Sequence, residues 1–262
     1  MINNHGNFRT LSLENRAGTS GCGAAVFNNF GNVEQMATGG LENDGIIDNH
    51  GSFQVDPGAW VSGSGTYHQF SGITRVGGDI SASLMHFMAG ELWGTGSLNG
   101  DPLSNLAPSV IVDAGVVVHP GNSPGTLTIN GNAIFNGDLE IEIANALTHD
   151  RLVINGDIAF GGGTTTYLLL GGFLPQPGSS FSWLTVQGAM TGLDTISFAR
   201  SIVHPDGSRT DWAPPGGLQT SFEQGQIILS VTDVAPVPEP GTYAMLLAGL
   251  IPLLLRMRLV RR

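Results

Sequence analysis

Apolar positions along most of this chain recur in short alternating runs separated by Asn and Gly, as in Leu139-Glu140-Ile141-Glu142-Ile143. A period of two marks half-buried β-strands, and Asn-Gly breaks mark tight turns. The breaks also repeat. Ile2-Asn3-Asn4-His5-Gly6-Asn7-Phe8 returns as Phe27-Asn28-Asn29-Phe30-Gly31-Asn32-Val33, and again as Ile47-Asp48-Asn49-His50-Gly51-Ser52-Phe53. Leu13-Glu14-Asn15 and Leu41-Glu42-Asn43 form a second recurring piece, and Ile129-Asn130-Gly131-Asn132 and Ile154-Asn155-Gly156-Asp157 read as looser later copies. Offsets of 25 and 20 residues match one coil of a β-solenoid. One coil cannot bury its own apolar face, whereas stacked coils can. The repeat therefore predicts Gly6, Gly31 and Gly51 at equivalent turns, ~4.8 Å apart per coil, with Asn side chains in hydrogen-bonded ladders. A compact β-sandwich with chance internal similarity is the alternative.

Composition agrees with many strands and turns. Charged residues are 12% of the 262, and Gly numbers 39. Hydrophobic residues, at 41%, are too many for a disordered chain. There is no lysine, and four of the ten arginines (Arg256, Arg258, Arg261, Arg262) lie in the last seven positions. The rest of the chain carries six arginines against 21 acids, a net −15, which repels nucleic acid. The single cysteine, Cys22, cannot form an intramolecular disulfide.

From Pro120 to about Phe198 the sequence resembles the passenger repeats of autotransporters and related exported solenoid proteins. The resemblance is carried by Pro120-Gly121-Asn122-Ser123-Pro124-Gly125-Thr126-Leu127-Thr128-Ile129, the acidic alternating strand 139–143, His149-Asp150-Arg151-Leu152-Val153-Ile154 and Phe181-Ser182-Trp183-Leu184-Thr185. It implies the closing coils of a right-handed parallel β-helix over residues 1–198, and no activity, because such repeats serve many surface proteins. Residues 199–234 read as a closing β segment, with strands at Ser221-Phe222-Glu223 and 226–231 around a turn at Gln224-Gly225.

The C-terminus has another organisation. A Pro/Gly linker over 235–241 holds Val237-Pro238-Glu239-Pro240, and residues 243–255 are uncharged. Thirteen helical residues span only ~20 Å, short of the ~30 Å hydrocarbon core. Met257, Leu259 and Val260 extend the span if Arg256 and Arg258 snorkel. The expectation is a transmembrane sorting helix over 242–262, capped at Thr242, with the arginines cytoplasmic by the positive-inside rule. In order, these parts resemble the PEP-CTERM sorting signal of Gram-negative bacteria that make exopolysaccharide. That resemblance implies an exosortase-type membrane protease as partner and processing near the motif. Export also calls for an N-terminal signal peptide, and residues 1–30 contain no basic n-region and no long apolar run. The chain opens inside a repeat, so a truncation or a misplaced start codon is expected.

Candidate chemistry is sparse. Glu140 and Glu142 share a strand face and could form an inverting glycosidase pair, yet any half-buried strand alternates in this way. His5 and His50 occupy one repeat position that Phe30 fills in the intervening copy, which suits packing better than catalysis. His68, His86, His119, His149 and His204 lack metal-ligand spacing, and neither an EF-hand nor a Gly-Gly-x-Gly-x-Asp nonapeptide occurs. No catalytic, cofactor-binding or metal residue is therefore assigned. Among Trp60, Tyr67, Trp93, Trp183 and Trp212, we take Trp60 and Trp93 as the sugar-stacking candidates, with both on one exposed face as the arrangement that favours binding. The expectation is a non-catalytic exported cell-surface or matrix protein, inserted in the inner membrane before processing and linked to exopolysaccharide or biofilm. A polysaccharide-binding adhesin is the first alternative, and an enzyme acting on exopolysaccharide the second.

Overall fold

The computed structural model describes residues 1–16, 24–100, 108–213 and 217–232. Cys22, the motif Val237 to Pro240, the expected helix over 242–262 and its arginines 256, 258, 261 and 262 lie outside them. Among the described residues nearly all the regular secondary structure is strand, and no helix is long and apolar enough to cross a membrane.

The strands form three parallel ladders, one for each side of a coil. The first runs Ile2–Asn4, Val26–Asn29, Ile46–Asn49, Thr66–Gln69, 84–87, 110–112, Ala133–Phe135, Ile158–Phe160 and Met190–Thr191. The second begins at 7–10 and 32–35 and continues through Ser52–Val55, Ile73–Val76, 91–94, 117–118, Asp138–Ile143, Thr164–Leu169 and Ser197–Val203. The third joins 12–15, 40–43, Trp60–Ser62, Asp79–Ser81, Ser97–Asn99, Thr126–Asn130, Arg151–Asn155 and Ser180–Val186. This is a solenoid-like all-β stack. Among the described strands the pairing turns antiparallel near the end, where Ser197–Val203 pairs Arg209–Asp211, Gln226–Val231 covers the edge of Ser180–Val186 and Leu218–Glu223 adds to it.

Alternation decides what fills the interior. Phe27, Ile47, Tyr67, Met85, Val110 and Ile158 point inward from the first ladder and are buried. Their register partners stack directly above one another, so each coil covers the apolar face of the last. Tyr67 meets Phe53 edge-on at 5.3 Å, and Trp183 Nε1 donates to the Tyr167 hydroxyl at 3.0 Å near the closed end. Burial pushes both tyrosine hydroxyls above the usual phenol range.

The corners explain the repeat. Gly6, Gly31, Gly51, Gly72 and Gly90 form one column, in which the Gly6 carbonyl accepts Asn32 N–H at 2.8 Å, the Gly31 carbonyl accepts Ser52 N–H at 2.9 Å, and the Gly51 carbonyl accepts Ile73 N–H at 2.8 Å. A Cβ on Gly31 or Gly51 would run into the carbonyl oxygen of the glycine below, so the repeat is glycine by contact. Inside this corner the Asn4 amide donates to Asn29 Oδ1 at 2.8 Å, and Asn29 donates to Asn49 Oδ1 at 2.7 Å. The same oxygens accept the corner glycine N–H groups, Gly31 at 3.2 Å and Gly51 at 3.3 Å. The expected Asn ladders are therefore present, and a second runs Asn99, Asn130, Asn155 at 2.6 and 2.7 Å.

The looser copies at Asn130 and Asn155 lie in the third ladder, on the side that holds Leu13-Glu14-Asn15 and Leu41-Glu42-Asn43. Turn chemistry is alike at all three corners, so an Ile-Asn-Gly string alone does not say which corner it turns.

Candidate functional site

Outward residues of the second ladder form a column in which side chains from successive coils are neighbours. Register aligns Arg9 with Glu34, Glu34 with Gln54, Gln54 with Arg75, Arg75 with Trp93, and Trp93 with His119. Glu140 follows, since Val118 pairs Leu139. Three residues singled out from sequence, Trp93, His119 and Glu140, thus meet although 47 positions separate the first from the last.

The His119 ring stacks on the Trp93 indole at 3.7 Å, and Trp93 Nε1 donates to Glu91 Oε2 at 2.6 Å. Burial pushes the His119 imidazole below its ordinary value, opposed by the charges of Glu140 and Glu91. Arg209 grips Glu140 with two bonds, at 2.6 and 3.0 Å, and His119 Nδ1 lies 3.5 Å from the same carboxylate. Hydrogen bonding to Glu140 raises the Arg209 guanidinium further above its already high value. Glu140 and Glu142 do share the outward face, with Leu139, Ile141 and Ile143 buried between them. Both oxygens of the Glu140 carboxylate are thus engaged by Arg209, an arrangement that suits an anchor.

Asp150 is the one strongly buried carboxylate among the described residues, 2% exposed. Its Oδ1 accepts Gly125 N–H at 2.8 Å and its Oδ2 accepts Glu142 N–H at 2.9 Å, clasping the turn at 121–125 to the second ladder. Burial raises its pKa to about 7, against the lowering effect of those two amides.

The remaining histidines have structural partners. His5, Phe30, His50 and Phe70 stack in one column at the glycine corner, with ring centroids 4.9, 4.7 and 4.9 Å apart. Imidazole and phenyl alternate there because either ring fills the rung spacing. His68 meets Asp48 at 2.9 Å and His86 meets Asp113 at 2.8 Å. No cluster of three or more His, Cys, Asp or Glu that could hold a metal occurs among the described residues.

The two tryptophans chosen as sugar-stacking candidates do not share a face. Trp93 lies on the second ladder and Trp60 on the third, where its indole covers the backbone of Gly40. Trp60 fills the place of the side chain that Gly40 lacks. Trp93 instead borders an open cleft with Gln54, Asp56, Arg75 and Asn122, none of which the sequence marked. Nor did it mark Arg209. No signal pointed to these residues, because coils of unequal length hide their register: Tyr67 to Met85 is 18 residues and Ile158 to Met190 is 32.

Compared with known protein families and with curated proteins, this chain matches no family model and no curated protein.

Proposed function

We propose that this chain is the non-catalytic body of an exported cell-surface or matrix protein, a right-handed β-solenoid stalk sorted by a PEP-CTERM-type tail. The observation that carries the reading is the order Val237-Pro238-Glu239-Pro240, an uncharged run over 243–255, and Arg256, Arg258, Arg261 and Arg262. The basic end would hold the span with its C-terminus in the cytoplasm, present the body on the far side, and offer the motif to an exosortase-type membrane protease. Association with exopolysaccharide or a biofilm matrix is where such a product would act.

The body supports this reading in two ways. Its three ladders with hydrogen-bonded Asn columns suit a rigid spacer, since each coil is fixed by main-chain and side-chain bonds to the next. Its most suggestive acids serve the stack, Glu140 through Arg209 and Asp150 through the amides of Gly125 and Glu142.

The test is localisation. In a host with an exosortase, the protein fused to a secretory signal peptide should fractionate with membranes on its way to the surface. A version lacking residues 237–262 should be exported yet lose membrane association. Replacing the four terminal arginines with Gln should weaken retention. Equal membrane association of the truncated and full-length proteins would contradict the reading.

A further inference from the structure

We infer that the cleft beside Trp93 is a binding site for a neutral, hydroxyl-rich sugar. The cleft has a volume of about 290 Å³, at the small end of the ~300–1,000 Å³ typical of ligand sites. One or two sugar units would fill it. It lies on the outward surface of the second ladder, at the corner leading to the third.

Its shape follows from missing side chains. Gly77, Gly94 and Gly121, from three successive coils, all line it. A Cβ on Gly94 would strike the Val76 carbonyl, and one on Gly121 (φ 120°) would strike the Asp150 carboxylate. Glycine is therefore required at these two positions, and it brings no side chain to the cleft. Asp150 also holds the 121–125 turn by accepting Gly125 N–H, which places Asn122 at the rim.

The polar groups around it are planar ones. Gln54, Arg75 and Trp93 rise from the same column on three consecutive coils. Gln54 Nε2 donates to Asp56 Oδ1 at 2.7 Å, which orients both while leaving the second Asp56 oxygen for another donor. Carboxylate, amide and guanidinium groups each engage two neighbouring atoms at once, the match for a vicinal diol. Among the described arginines, Arg9, Arg16 and Arg209 are paired with carboxylates and Arg200 with the Trp212 carbonyl, whereas the side chains of Arg75 and Arg151 make no bond to any described residue, and of these two Arg75 lines the cleft. Its five donors face the cleft and solvent.

Trp93 supplies the apolar contact. His119 covers one face of the indole at 3.7 Å, and Glu91 fixes its N–H, so the ring is held still where it lines the cleft, on the side of the coil that carries Arg75. A rigid aromatic loses little conformational freedom on binding. Charge selects against acidic sugars, because Asp56 lines the cleft, Glu91 adjoins Trp93 and the whole chain carries −11.

The test is calorimetric titration of the full-length protein with maltohexaose, cellohexaose and mannohexaose, and with oligogalacturonate as the acidic counterpart. At least one neutral oligomer should bind saturably, and oligogalacturonate should not. Trp93→Ala and Arg75→Gln should each weaken that binding by about tenfold or more, a loss of ~1.4 kcal/mol. Trp60→Ala on the other face should not change it, and circular dichroism should show all three variants folded. Arg75 is exposed, so its variant remains informative if Trp93→Ala misfolds. Absence of binding to all three neutral oligomers, binding of oligogalacturonate alone, or unchanged affinity in a folded Arg75→Gln would overturn the site. Each of those results leaves the sorting proposal untouched, since that is read from localisation.

Discussion

Asn29 shows how much one polar residue does in this interior. Its side chain is fully buried and bonds Asn4, Asn49, the Ser52 carbonyl and the Gly31 N–H. Asn29→Ala leaves partners on both neighbouring coils unsatisfied, and an orphaned buried group costs ~1–3 kcal/mol. We expect the variant to lose about 2–4 kcal/mol in chemical unfolding. Asp150 titrates in the opposite sense to a salt-bridged carboxylate. Its folded pKa is raised to about 7 by burial, against about 3.9 in an unfolded chain. Between these values the folded protein keeps a proton that the unfolded chain has released. Its contribution to stability is therefore greatest below pH ~4, declines as pH rises to about 7, and is flat above that. His149, lowered by burial, slopes the other way below its ordinary pKa, so the comparison must be with a variant. Asp150→Asn should show a smaller loss of melting temperature between pH 4.5 and 7.5 than the parent; an identical slope would contradict the assignment.

At the scale of the element, glycine carries the repeat, and the copies differ in what they tolerate. Gly31 and Gly51 sit on the carbonyl of the preceding glycine, while Gly6, at the first coil, has no atom within 4 Å of the place a Cβ would take. Gly51→Ala should cost ~1–3 kcal/mol, whereas Gly6→Ala should lie within ~0.5 kcal/mol of the parent, both read from the urea midpoint. A sequence shows that glycine recurs but not which copy has a neighbour beneath it. The same reasoning separates what was legible from what was not. The alternation at 139–143 and the Asn-Gly corners gave the strands and turns, because period two and turn-forming residue types are local properties. The outward neighbours Gln54, Arg75, Trp93 and His119 were not legible, because their adjacency depends on coil lengths that vary with the loops between ladders. Trp60 and Trp93 look alike in sequence, yet one covers Gly40 and the other lines a cleft.

For the whole molecule, the two C-terminal segments should separate cleanly in their effects. Ile227, Leu229 and Val231 are buried against the last coil, and their strand covers an edge that would otherwise invite pairing with another chain. Ending the chain at residue 216 should therefore lower the melting temperature and promote aggregation, seen by light scattering. Ending it at residue 236 should leave both unchanged if the tail is a signal for lipid and protease rather than part of the aqueous core. The central claim, a solenoid body delivered and processed through its tail, is tested most directly by the intact mass of the protein recovered from the cell surface of an exosortase-bearing host. The account predicts a C-terminus within residues 237–241, with the four terminal arginines gone. A surface-recovered protein still ending at Arg262 would contradict it.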